Sequence, residues 1–327
     1  AYILADNRLA QNAGWDNDLL TLELTELDNA DFDLSLLGFE PGELKDLLAD
    51  EPEEGLTDPD EVPEPPAEAV TQPGDLWIMG DHRLLCGDST DAESVAYLLD
   101  GAKADMVFTD PPYGIELDTS SVKVLGKTAK WSLAVAKKYE KIVGDGVAFN
   151  AAHIFETFSD VDEIFIWGAD YFVDTLPNFG KDGNFLVWDK RVTGHEDKHN
   201  FASEYELCWS MKKRARRIYK HDWVQFFGMQ KEDAKTRLHP NQKPTQLMID
   251  MMPEGDIVAD LYLGSGTTLI AAEKTNRKCY GMEIDPAYCD VIVKRWEAFT
   301  GKKATLSGYD GTFEDLQQER EHANSSA

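Results

Sequence analysis

The sequence predicts an α/β protein built on a mostly parallel, doubly wound sheet, with a small helical appendage at its amino end. Three observations predict it. From Gly74 onward, short apolar runs alternate with helical patterns, as strand–helix–strand units do. Two of those runs, Met106-Val107-Phe108 and Ile257-Val258-Ala259, lead into an Asp and then a rigid or glycine-rich turn, at the strand ends where open α/β sheets hold ligands. Residues 50–73 (DEPEEGLTDPDEVPEPPAEAVTQP) are acidic and proline-rich, a composition that sets the two parts off from each other.

The elements follow in order. Residues 1–50 read as short helices, because Leu19, Leu20, Leu22, Leu24 and Leu27 are apolar and Leu44, Leu47 and Leu48 recur at helical spacing. Segment 51–73 is expected to be an extended, self-repelling linker. LWIMG and HRLLCGD read as strands, Ala92–Leu99 as a helix and Ala104–Thr109 as a buried strand. Residues 114–148 are a long variable segment. Further strands are expected at Glu163–Trp167, Phe185–Trp188, Tyr205–Trp209, within 217–227 and at Ile257–Leu263. A helix at Thr267–Lys274, a strand at Cys279–Glu283 and a helix at Pro286–Phe299 complete a domain over 74–310. The last residues, 311–327, read as a polar, frayed tail.

Composition narrows the classes. In 327 residues, 42% are hydrophobic, enough for a sizeable core. No run of about 18 apolar residues suggests a membrane span. AYILADNRLA lacks the basic flank and apolar stretch of a signal peptide. It begins with Ala rather than Met, so a fragment is among the expectations. Cys86, Cys208, Cys279 and Cys289 form no C-x-x-C pair, so a reduced, cytoplasmic setting with buried thiols is expected. The net charge of −29 argues against a simple nucleic-acid binder. Residues 1–72 carry −18 of it, with 20 Asp/Glu against 2 Lys/Arg. The basic residues cluster: Lys212, Lys213, Arg214, Arg216, Arg217 and Lys220 fall within nine positions. Such a stripe suits phosphate contact, and equally a solvated strand edge.

Asp110-Pro111-Pro112-Tyr113 follows one of the two strands. Two prolines fix the backbone and remove donors, leaving carbonyls as acceptors. An aromatic amino group is a poor nucleophile because its lone pair is delocalised into the ring. Accepting its two hydrogens at the Asp110 carboxylate and the Pro111 carbonyl helps localise that pair, and Tyr113 offers a ring for an extruded base. This is catalysis by position and electrostatics. Methylation at a cytosine carbon would need a cysteine nucleophile, and no cysteine here follows a proline. The second constellation is Asp260-Leu261-Tyr262-Leu263-Gly264-Ser265-Gly266-Thr267-Thr268, with Glu283 closing the next strand. It suits a nucleoside cofactor whose ribose hydroxyls meet the acid. G-x-G-x-x-G is absent, since Leu269 stands where the third glycine would, and there is no P-loop lysine. His239-Pro240-Asn241-Gln242-Lys243-Pro244 opens a helix whose Lys243 or amino end is placed to meet a cofactor carboxylate.

In this order, catalytic tetrad before cofactor turn, the chain resembles the β-group of amino-methylating DNA methyltransferases. The resemblance covers residues 74 to about 305 through LLCGDS, DPPY, FLVWDK, EYELCWS, HPNQKP, DLYLGSGTT and GMEID. It implies a Rossmann-like, S-adenosylmethionine-dependent sheet acting on double-stranded DNA. It implies that Asp110, Pro111, Pro112 and Tyr113 position the base. Asp88, Asp110, Lys243, Asp260, Tyr262, Gly264, Ser265, Gly266, Thr267, Glu283 and Asp285 are implied around the cofactor, with Asp88 at its adenine and Glu283 at its ribose. Leu261 and Tyr262 stand where the family often has Pro and Phe. Target recognition is implied in 211–238, with Lys212, Lys213, Arg214, Arg216 and Arg217, and further DNA contacts in 114–148, with Lys127 and Lys130. Residues 1–50 resemble the tail of ParB/sulfiredoxin-like domains fused to phage methyltransferases, implying a scaffold or dimer element.

His195-Glu196-Asp197-Lys198-His199 fits the H-E-x-x-H zinc pattern, but it is short and polar, follows Gly194 and lies between strands, so no metal is expected. The expected activity is site-specific transfer to the adenine 6-amino group. Cytosine 4-amino methylation and a low-activity, cofactor-binding DNA regulator stay open. A homodimer, a restriction partner or a phage protein are the expected associations.

Overall fold

The computed structural model describes Leu24, Leu27, Phe32, residues 34–38, 55–114, 146–177, 179, 181–191, 203–221 and 242–325. The chain divides into two compact units, Ala1–Glu53 and Glu54–Ala327. In the first, Leu24 and Leu27 are helical, Leu24 is buried, and Leu34–Leu37 forms a 3-10 turn.

The second unit is built on one sheet. Its described strands are β1 (Leu76–Met79), β2 (His82–Cys86), β3 (Met106–Thr109), β4 (Glu163–Trp167), β5 (Asn184–Asp189), β6 (Tyr205–Ser210), β7 (Ile218–Lys220), β8 (Ile257–Asp260), β9 (Lys278–Glu283) and β10 (Thr305–Leu306). The helices are α1 (Ala92–Leu99), α2 (Ala152–Thr157), α3 (Thr245–Met251), α4 (Thr267–Lys274), α5 (Pro286–Thr300) and α6 (Phe313–Ser325). The order across the sheet is β10-β1-β2-β9-β8-β3-β4-β6-β5-β7. The core run β2-β9-β8-β3-β4 is parallel, and antiparallel pairs flank it. That is the expected doubly wound α/β class. Strands β3 and β4 are buried at every residue, so they read as continuous apolar runs rather than alternations.

The chain leaves β3 toward β4 on one side and leaves β8 toward β9 on the other. The adjacent pair β3/β8 is therefore the point where strand order reverses, and its carboxyl edge opens a crevice. Both sequence constellations end there.

Two expectations need correction. Residues 55–73 are not a detached linker; they form a strap lying on the domain. Val62, Val70 and Thr71 are buried. The fully buried Asp290 carboxylate of α5 accepts Val70 N–H (2.6 Å), Thr71 N–H (2.9 Å) and the Thr71 hydroxyl (2.6 Å). Composition registers the repulsion among the acidic residues but not a buried acceptor 220 residues away. Likewise, the expected frayed tail at 311–327 is helical through Ser325: α6 buries Phe313 against Trp77 (ring centroids 5.3 Å) and buries Leu316. Its Arg320 binds the Val70 carbonyl and Asp75, clamping the strap.

All four cysteines are buried and free, as expected. No described helix is long and apolar enough to cross a membrane. The H-E-x-x-H segment, Lys127, Lys130 and most of 114–148 lie outside the described residues, as do 222–238 of the recognition segment. Among the described residues no His/Cys/Asp/Glu cluster suits a metal.

Candidate active site

At the crevice the two constellations are joined. The Thr109 hydroxyl, last in β3, donates to Asp260 Oδ1 at the end of β8 (2.7 Å), and Tyr262 N–H donates to the same oxygen (3.1 Å). Burial pushes the Asp260 carboxyl up to about 6. Asp260 is 2% exposed; it braces the two turns rather than presenting a free carboxylate.

After Asp260 the chain turns tightly into α4. Gly266 has φ +87, and a Cβ there would lie 3.1 Å from Ile292 of α5; only glycine combines that backbone with that approach. The buried Arg295 of α5 holds the turn from behind, donating to the Ser265 carbonyl (2.8 Å) and approaching the Ser265 and Thr267 hydroxyls. Ser265 and Thr267 are thus committed inward. Gly264 N–H donates to Glu283 Oε2 (2.8 Å), and Asp285 N–H donates to Glu283 Oε1 (2.9 Å). Burial lifts the Glu283 carboxyl to about 7. Asp285 caps α5, accepting Ala287 N–H (2.8 Å). Asp88 is exposed just beyond β2 and accepts the N–H and hydroxyl of Thr90.

An aromatic wall lines the turn. Tyr262 packs edge-on to Phe149 (centroids 5.6 Å). His153 of α2 meets the Asn150 carbonyl through Nδ1 (3.0 Å), so Nδ1 carries the proton and Nε2 accepts from the Tyr262 hydroxyl (3.0 Å). Burial pushes Tyr262 up to about 12.

The tetrad is seated by Gly168, which follows β4 with φ +64; a Cβ there would fall 2.1 Å from the Tyr113 ring. Tyr113 stacks on Tyr171 (centroids 5.2 Å, 15° between planes) and donates its hydroxyl to Asp110 Oδ1 (2.7 Å). Burial, then the Asp110 and Glu206 charges, push the Tyr113 hydroxyl well above its usual range. Pro111 is buried and Pro112 half-buried.

Lys243, expected at a cofactor carboxylate, has partners within the chain. Its buried ammonium pairs with Asp110 Oδ2, lies 3.5 Å from Glu206 Oε2 and sits 4.8 Å over the Trp167 ring. The basic stripe divides too. Arg214 is bound to the buried Glu163 carboxylate and lies over Phe165 (5.0 Å), holding β6 to β4. Lys212, Lys213, Arg216 and Arg217 are exposed. Sequence reasoning missed Glu206, Tyr171, Gly168 and Arg295. Glu206 lies in EYELCWS, a motif that stood out but suggested no chemistry.

With this geometry in view, the similarities are specific. A family model described as DNA methylase matches residues 104–294, and one described as ParB-methyltransferase HTH domain matches residues 18–73. The second match falls where the tail of a ParB-like domain was expected and extends through the strap. The chain is 31% identical over 136 residues to the Type II methyltransferase M2.DpnII of Streptococcus pneumoniae, covering 35% of this chain and 51% of that protein. It is 24% identical over 233 residues to the Type II methyltransferase M2.MboI of Moraxella bovis, covering 60% of this chain and 81% of that protein. The chain thus spans about half of the first relative and most of the second. The crystal structure of M1.HpyAVI aligns with a TM-score of 0.39 at 19% identity, covering 66% of this chain and 98% of that one.

Proposed function

The chain belongs to the DNA methylase family, and from that premise we propose that it transfers a methyl group from S-adenosylmethionine to the 6-amino group of adenine in double-stranded DNA, at a specific site. The observation that carries this reading is the joining of the tetrad and the glycine turn at the β3/β8 reversal, through the Thr109–Asp260 hydrogen bond.

The residues present fit the cofactor. Glu283 is a half-buried acid at the end of β9 with a raised proton affinity, suited to ribose hydroxyls. Gly264 has open space where a side chain would stand. Tyr262 and Phe149 offer apolar walls, and Asp88 an exposed acceptor beside β2. When bound, the cofactor supplies a methyl group on a positively charged sulfur. The chain's own residues do the rest. Asp110 and the Pro111 carbonyl accept the two amine hydrogens, Tyr113 takes the extruded base on its face, and Tyr171 leaves that face to admit it. Asp260, Ser265, Thr267 and Asp285 shape the pocket from behind.

The exposed Lys212, Lys213, Arg216 and Arg217 are the proposed phosphate contacts. A homodimer and a companion restriction enzyme or phage protein are proposed associations, and the buried free cysteines support a cytoplasmic setting.

The test incubates the protein with unmethylated DNA and S-adenosylmethionine and identifies the nucleosides by mass spectrometry. N6-methyladenine is the expected product. N4-methylcytosine would keep the mechanism and change the base. Cofactor binding without any methylated nucleoside would overturn the reading in favour of a binding module.

A further inference from the structure

The tetrad sits at the end of a row of alternating charges. Lys190, just past β5, donates to Glu206 Oε1 (2.6 Å); Glu206 Oε2 lies 3.5 Å from Lys243; and Lys243 pairs with Asp110. Two indoles lie beneath the cations, Trp188 under Lys190 at 5.1 Å and Trp167 under Lys243 at 4.8 Å. Lys243 is 3% exposed. A buried ammonium is costly unless it is fully paired, and this one has two carboxylates and a ring face. The four charges come from the ends of β5 and β6, the segment after β3 and the segment before α3, so the fold has to assemble them.

We propose that Lys243, balanced by Glu206 and Lys190, is a positioning residue that holds the Asp110 carboxylate oriented toward the target amine, and is not a cofactor ligand. The proposal rests on the methyl-transfer reading above. Asp110 must act as an acceptor throughout. Oδ1 is oriented by the Tyr113 hydroxyl and Oδ2 by Lys243, which fixes the carboxylate plane. Each oxygen keeps a second lone pair for substrate. Glu206 limits how tightly Lys243 draws on Asp110.

Other titratable groups border this row of charges. Asp260 of β8 adds repulsion, Cys208 of β6 is a buried thiol pushed well up by burial, and Asp170 lies beyond Glu206, its carboxyl raised by burial. Among the described residues, Lys243 is the cation in contact with Asp110. Burial works to lower its proton affinity, yet the Asp110 and Glu206 charges outweigh it and hold the ammonium above its ordinary range. Burial likewise works to raise Glu206, and Lys243 with Lys190 keeps it below.

The experiment has two arms. In the first, Lys243→Met, Lys243→Arg, Glu206→Gln and the double variant Lys243→Met/Glu206→Gln are compared for single-turnover methylation and for S-adenosylmethionine binding. Lys243→Met is expected to lose about 100-fold in rate and to keep its cofactor affinity. Lys243→Arg restores part of the rate. If Lys243→Met unfolds, the double variant, which removes one charge of each sign, takes its place with the same expectation. A parallel loss of cofactor affinity, with no partial rescue by Lys243→Arg, would overturn the proposal. In the second arm, lysine side-chain resonances are titrated by NMR. Lys243 is expected to lose its proton at lower pH in Asp110→Asn than in wild type, and an unchanged titration would overturn the pairing. This arm needs no turnover, so a wild type that methylates nothing would defeat the functional reading while the titration still judges Lys243.

Discussion

Neighbouring cations in one stripe do different work. Arg214 is bound to the buried Glu163 carboxylate, while Lys213, Arg216 and Arg217 face solvent. Replacing Arg216 or Arg217 with Gln is expected to weaken DNA binding and to lower the slope of log affinity against log salt by about 0.9 for each phosphate no longer neutralised. Thermal stability should stay unchanged. Arg214→Gln instead takes the cation from a buried carboxylate, which keeps the Ser210 hydroxyl and Lys212 N–H, and is expected to cost about 2–3 kcal/mol of stability, read by urea unfolding. Arginine variants at 214, 216 and 217 that all shifted the salt slope alike would contradict this division. Glu283 offers a second test at this scale. Its folded-state carboxyl is raised to about 7, so between about 4.5 and 7 the native state holds a proton that the unfolded chain has released. The stabilisation is fully present below about 4.5 and lost as pH rises through about 7, at about 1.4 kcal/mol for each tenfold change in proton affinity. Glu283→Gln should flatten this part of the stability–pH curve. It should also weaken cofactor binding, because an amide cannot accept from both Gly264 N–H and Asp285 N–H.

One side chain on α5 couples three elements. Arg295 reaches the Ser265 carbonyl in the glycine turn and the Pro59 carbonyl in the strap (2.6 Å). Burial brings its guanidinium down to about 10, against the pull of Asp60 and Asp58. Asp60 in turn caps α3, accepting Thr245 N–H (2.8 Å) and the Thr245 hydroxyl (2.7 Å), two residues past Lys243. Arg295→Met is expected to lower stability by about 2–3 kcal/mol and to weaken S-adenosylmethionine binding with it. Asp60→Ala removes a cap worth about 1 kcal/mol and should slow methylation more than it loosens the cofactor, because α3 carries the Lys243 segment. Calorimetric titration and single-turnover rates separate the two. This is also where legibility in the sequence stopped. DPPY and the turn at 260–268 are local patterns, each read from one strand end and its next few residues, and both landed at the β3/β8 crevice. Glu206, Arg295 and Asp60 act across 37 to 236 residues of chain, and no window carries such a pairing. Lys243 stood out as a motif residue, but its partner belonged to the other constellation.

For the whole molecule, the boundary between the two units decides how the acidic amino-terminal part can be removed. The charge count places a break at residue 73, where an acidic, proline-rich stretch ends; the structure places it between Glu53 and Glu54. The two cuts have different consequences. A chain starting at residue 54 keeps Val62 and Val70 in the core, keeps the Pro59 carbonyl on Arg295 and keeps the Asp290 carboxylate satisfied by Val70 and Thr71. A chain starting at residue 74 loses all of these together. It exposes the site of two buried valines, worth about 1.5–3 kcal/mol each. It also leaves Asp290, fully buried, without these three donors, an uncompensated charge that costs several kcal/mol. At about 2–4 °C per kcal/mol for a domain of this size, the melting temperature should fall by more than about 10 °C, while the cut at 54 should leave it close to that of the full chain. The comparison also bears on self-association, since a dimer lost at 74 but retained at 54 would reflect a damaged domain, whereas one lost at both cuts would belong to residues 1–53. Equal melting temperatures for the two truncations would mean that the strap contributes nothing to the fold and that the segment is a linker after all.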